Sequence, residues 1–119
     1  MREIKFRGFG HHRGMVYDLV TFEGTSPIYK MNCVCDVLMQ FTGLHDKNGK
    51  EIYEGDILTH NKFDEYYICK FEDGQFSYKE FDRHDKSYGN YYYMEQKELE
   101  RYCEIIGNIY ENHELLEKQ

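Results

Sequence analysis

Histidines and cysteines are the residues best able to do chemistry in this chain, and their spacing limits what they can do. Cys33 and Cys35 are one residue apart, not two as the Cys-x-x-Cys motif of zinc and redox sites requires, and Cys69 and Cys103 stand alone. On a strand Cys33 and Cys35 point to one face, where thiols behave as small buried hydrophobes. His11 and His12 are adjacent, so on a strand they point to opposite faces and chelate poorly together; a solvated loop fits them better, as it does His45, His60 and His84. Asp46-Lys47-Asn48-Gly49-Lys50-Glu51 resembles the start of a calcium loop. Yet glycine falls fourth where the sixth position needs it, and the twelfth residue is Ile57 instead of glutamate. There is no Gly-x-Ser-x-Gly, no phosphate-binding glycine loop and no His-Glu-x-x-His. The expectation is a protein with no cofactor, no metal and no enzymatic activity.

The chemistry that remains is contact chemistry. Arg2, Lys5, Arg7, His11, His12 and Arg13 make the one local excess of positive charge. They could meet phosphates, although the outer face of a hairpin is the plainer reading. Glu95, Glu98, Glu100, Glu104, Glu111, Glu114 and Glu117 make the last quarter acidic, which invites head-to-tail contact between copies. Tyr88, Tyr91, Tyr92 and Tyr93 are the densest aromatic run. Tyrosines alternating along a strand cannot all be buried in so small a domain, and tyrosine suits protein contacts because it joins large area to a polar tip. Nucleobase stacking is a weaker use of them, because Asp82, Asp85, Glu95 and Glu98 nearby repel phosphate.

The elements that must carry these residues read mostly as strands. Residues 3–9 alternate, with Ile4 and Phe6 on one face and Lys5 and Arg7 on the other. A hairpin over residues 4–22 follows, then a breaker at Gly24-Thr25-Ser26-Pro27. From Ile28 to Phe41 a strand buried on both faces competes with a short helix at 32–39. The stretch Gln40 to Leu58 organises the chain. Asn48-Gly49 supplies two residues that tolerate φ > 0 for a hairpin turn, and Glu54-Gly55-Asp56 turns the chain again. Ile57–His60, Tyr66–Phe71 and Gln75–Phe81 read as strands, the last two joined by a hairpin at Asp73-Gly74. Asn61–Glu65 and Asp82–Asn90 read as loops, Tyr91–Met94 as a short aromatic segment and Gln96–Tyr102 as one or two helical turns. Cys103–Tyr110 is a strand broken near Gly107, and Asn112 is placed to cap a terminal helix at Glu114–Lys118. These signals predict an α+β, mainly β fold in one domain. An N-terminal hairpin subdomain (about 1–51) packs on a small SH3-like barrel (about 52–119) with few short helices.

The chain has 119 residues, enough for one core. Aromatics at 17% are mostly Tyr and Phe, which favour strands. The net charge of -7 argues against whole-surface binding to nucleic acid or anionic membrane. No apolar run approaches the roughly 18 residues of a membrane span, and Met1-Arg2-Glu3-Ile4-Lys5-Phe6 lacks a signal-peptide core. A cytoplasmic protein with reduced cysteines is expected.

Three segments together carry a resemblance. They are Met1-Arg2-Glu3-Ile4-Lys5-Phe6-Arg7; Met39-Gln40-Phe41-Thr42-Gly43-Leu44 running into Asp46 to Ile57; and Ile105-Ile106-Gly107-Asn108-Ile109-Tyr110-Glu111-Asn112. In this order, across almost the whole chain, they resemble the YopX family of bacteriophage and prophage proteins. The chain departs from the family at His45, where a basic residue is more usual, and at His113, where a proline often opens the terminal helix. The resemblance implies a mainly β fold, a bacterial host cell and a self-assembling protein, and it supplies no catalytic residues. The reading is a phage-encoded accessory protein acting by self-assembly or by binding a phage or host protein. Its alternatives are a nucleic-acid-binding or regulatory protein and an acidic inhibitor of a host protein.

Overall fold

The structure, a computed structural model, describes residues 4–10, 12, 14–17, 20–23, 26–29 and 36–117, with 20–23 and 26–29 as backbone. Arg2, His11, Arg13, Cys33, Cys35 and the first half of the ambiguous 32–39 segment lie outside them. Eleven strands appear among these residues: β1 (Phe6–Gly10), β2 (Gly14–Val16), β3 (Val20–Glu23), β4 (Ser26–Tyr29), β5 (Val37–His45), β6 (Glu51–Tyr53), β7 (Asp56–His60), β8 (Phe63–Glu72), β9 (Gln75–Asp82), β10 (Ser87–Tyr92) and β11 (Cys103–Asn108). One helix, α1 (Gln96–Tyr102), precedes β11, and a 3₁₀ turn at His113–Leu116 follows it. A four-stranded sheet runs β2-β1-β5-β6, and a five-stranded one runs β10-β9-β8-β7-β11. The second is strongly curled into a half-barrel, so the fold is mainly β, as expected. β3 and β4 form a separate two-stranded sheet in which Pro27 pairs with Phe22. Pro27 therefore belongs to a strand and does not interrupt one; a two-stranded sheet consists of edges, where a missing N–H is tolerated.

The expected turns close in two different ways. Asp73 (φ 51) and Gly74 (φ 79) both have positive φ, the two-residue turn that matches strand twist between β8 and β9. At the other hairpin only Gly49 does (φ 79). Gly49 N–H donates to Asp46 O at 3.0 Å, and Asp46 N–H donates to Lys50 O at 2.9 Å. This is a longer loop with one left-handed residue, and Asn48 carries no positive φ.

Packing explains where the strands differ from expectation. In the first half of β5, Met39 and Phe41 are buried while Leu38 is 51% exposed, so only one face is buried there. β8 is the strand sandwiched on both sides. Tyr67 and Cys69 join Leu58, Tyr78, Ile52, Met94, Leu99 and Cys103 on one face. Ile68 joins Ile57 and Phe81 on the other, under Ile106, Ile109, Leu115 and Leu116. The C-terminal segment thus covers the second face within one chain. β8 also starts at Phe63, inside the expected loop, and β10 begins at Ser87, inside the expected loop 82–90. Asn112 does not cap the terminal turn through its side chain. Its Oδ1 instead accepts Asn108 N–H at 3.1 Å, closing the bend after β11.

Candidate functional site

Two clusters gather the polar and aromatic residues singled out above. The first is interior. The β1 register places Arg7 opposite Met39, and that is the buried face of the sheet. Arg7 is 2% exposed. Its Nη2 donates to Asp56 Oδ1 at 2.8 Å, and its guanidinium lies 4.7 Å from the Tyr53 ring centroid. Asp56 Oδ2 accepts Tyr53 N–H at 2.8 Å, which fixes the turn through Glu54 and Gly55. Burial raises the Asp56 carboxyl above the ordinary carboxylate range, while the Arg7 charge and the Tyr53 N–H oppose it. Gly55 (φ 92) is needed there, because a Cβ would crowd Met39 Sδ in a backbone region side chains avoid. Asp46 does similar work nearby. Its Oδ1 accepts Asn48 and Lys50 N–H, both at 2.9 Å, and its Oδ2 accepts Ile105 N–H at 2.9 Å.

This geometry corrects the reading of the N-terminal strand. Arg7 is not on an outer basic face, because Ile4 is exposed and the basic parity turns inward. Lys5 is bridged to Glu51 and lies 4.8 Å from the Phe41 ring centroid. Both cations therefore serve the fold. Asp56, expected only as a turn residue, is the buried partner of Arg7.

The second cluster lies at the rim of the half-barrel. Tyr88, Tyr91, Tyr92 and Tyr93 are all exposed, Tyr93 by 71%. β10 is the last strand of its sheet, and its pairing with β9 jumps between Tyr88 and Tyr91. That bulge changes the faces. Tyr88 pairs with Phe81 and Tyr91 with Lys79, so both share one face; Tyr92 pairs with Tyr78 on the other. Without the extra residue Tyr88 would stand with Tyr92. Gly89 lies in the bulge, with the Glu80 side chain over it.

On the Tyr92 face a recess of about 460 Å³ opens between β8, β9, β10 and the start of α1. Its buried lining is Tyr67, Met94 and His60, and its outer lining includes Phe63, Tyr92 and Tyr93. Glu65, Glu80 and Glu98 complete it. Glu98 Oε2 lies 3.1 Å from His60 Nε2, and His60 Nδ1 accepts Lys62 N–H at 3.1 Å. Burial first, then the Glu65 and Glu80 charges, push the Tyr67 phenol upward. A hydrogen bond to Glu80 raises the Tyr92 phenol. A second hollow of about 490 Å³ shares Tyr93 and Met94 with the first and extends to Phe71 and Phe76.

Sequence reasoning found the tyrosines but missed this recess, because its carboxylates come from β8, β9 and α1. The available signal was the parity of His60, which matches that of buried Leu58 across one intervening residue. His84 sits elsewhere, exposed, with Nε2 2.6 Å from Asp64 Oδ2. Among the described residues no three His, Cys, Asp or Glu side chains converge on a metal site, and Cys69 and Cys103 are free and buried. Burial raises both thiols, Cys103 up to about 12. No helix among the described residues is long and apolar enough to cross a membrane.

Fold and site define a small, mainly β domain with a rigid polar interior and an aromatic, acidic rim. A model of the YopX protein family matches residues 17–117, and the chain belongs to that phage- and prophage-associated family. Among solved structures it is similar to the crystal structure of protein EF1440 from Enterococcus faecalis. The TM-score is 0.69 at 24% identity, covering 98% of this chain and 100% of that one, a likeness of fold. No curated protein matches it.

Proposed function

We propose that this protein is a non-enzymatic accessory of a phage or prophage, working in the bacterial cytoplasm by contact with proteins, its own copies first. One observation carries the reading: Tyr88, Tyr91 and Tyr92 on an edge strand, and Tyr93 just beyond it, stay exposed while Phe41, Tyr53, Tyr67, Tyr78 and Phe81 are buried. Large exposed aromatic area on a folded domain is a feature of contact surfaces. The bulge opposite Glu80 blunts edge-to-edge strand pairing, so side-chain faces carry the contact. The family's phage association supports the cellular setting. With Lys5 and Arg7 engaged inside the fold, the nucleic-acid alternative rests on His12 and on residues outside those described.

Light scattering after size-exclusion chromatography tests this. The expected mass is a multiple of the 14.5 kDa chain, rising with concentration, and Tyr92→Glu returns it to one chain. A single-chain mass at every concentration would remove the self-assembly reading.

A further inference from the structure

The recess at the rim joins aromatic rings to carboxylates. Several neighbouring rings are covered by the protein's own cations: Lys62 Nζ lies 4.4 Å from the Tyr102 centroid, Lys79 Nζ 4.2 Å from Tyr91, and Arg83 5.8 Å from Tyr66. Among the described residues no lysine or arginine covers Tyr67, Tyr92 or Tyr93, and none lines the recess. Its charged lining is Glu65, Glu80 and Glu98, with His60 as the one basic group, held against Glu98. The nearest cations are committed: Lys62 to the Tyr102 ring, Lys79 to the opposite face of the sheet, and Arg83 to Asp64 at 2.6 Å. Aromatic rings flanked by carboxylates attract a guanidinium or ammonium group through the ring quadrupole and through charge together. The volume, about 460 Å³, is large enough for the whole of one such side chain.

We infer that this recess receives a lysine or arginine side chain presented by a protein partner, with Tyr92 and Tyr93 against its aliphatic stem and Glu80 and Glu98 facing its charge. This deepens the contact function proposed above and rests on it. An apolar side chain would leave Glu65 and Glu80 without a counter-charge, and an acidic one would be repelled.

The test is a two-dimensional NMR titration of the full chain with the peptide acetyl-Gly-Arg-Gly-amide, beside acetyl-Gly-norleucine-Gly-amide. The arginine peptide is expected to shift resonances of residues lining the recess, at least tenfold more strongly bound than the norleucine peptide. Glu80→Gln and Glu98→Gln are each expected to weaken it severalfold with the remaining spectrum unchanged. Equal response to both peptides, or arginine binding indifferent to both substitutions, would overturn the inference. Light scattering on the same samples separates the two proposals. An oligomer that ignores arginine sinks the recess while leaving the contact function standing. A single chain that binds arginine through Glu80 and Glu98 keeps the recess and removes self-assembly.

Discussion

The interior cluster around Arg7 and Asp56 and the rim around Tyr92 and Glu98 are built from the same residue types, and burial divides their roles. In the interior, Arg7, Asp56 and Asp46 have fixed partners. Arg7 meets Asp56, and Asp46 accepts three backbone N–H groups that join the hairpin to β11. Such groups are expensive to leave unpaired, so they determine geometry. At the rim, Tyr93 and its neighbours face water, and three carboxylates surround rings that carry no cation. The difference separates residues that hold the domain from residues available to a partner.

Breaking the interior should have the largest effect. Arg7→Leu strands the Asp56 carboxylate and is expected to destabilise by about 3–5 kcal/mol, read by urea denaturation. Asp56→Leu added to it should recover part of that loss; no recovery would mean that packing and not charge pairing dominates there. Alkaline pH attacks the same interior without mutation. The Cys69, Cys103, Tyr67 and Tyr78 groups have raised folded values, so the unfolded chain releases their protons first. Stability is intact below about pH 8.5 and falls as pH rises past the ordinary thiol and then phenol values. A melting temperature flat from pH 8 to 11 would contradict that burial. Asp46→Ala should cost about 1–3 kcal/mol by freeing three donors.

Smaller effects sharpen the boundary. Nothing lies within 4 Å of a Cβ built on Gly49, so Gly49→Val should cost only the φ penalty, about 1 kcal/mol or a little more. An unchanged melting temperature would mean the loop adopts another turn. At the rim, Tyr91→Ser should change stability by less than about 0.5 kcal/mol, as an exposed position does.

The sequence was legible wherever local chemistry settles geometry. Asp73-Gly74 closes its hairpin as read, α1 spans the expected Gln96–Tyr102, and β11 breaks near Gly107. Period-two alternation could not say which face of β1 turns inward. Ile4 and Phe6 look like the buried parity, and only the Asp56 carboxylate, 49 positions on, brings Arg7 inside. Nor could β8 disclose that Leu115 and Leu116 cover its second face. The bulge at Gly89 was hidden for a different reason. It shows only in the pairing with β9, where one extra residue reassigns Tyr88 to the face of Tyr91.

The most direct test of the division between interior and rim is amide hydrogen exchange on the full chain at low and high protein concentration. The account predicts that concentration adds protection at residues 87–94 and leaves β1, β5 and β7 unchanged. Added protection centred on β1 or on the C-terminal turn, with 87–94 unaffected, would contradict it.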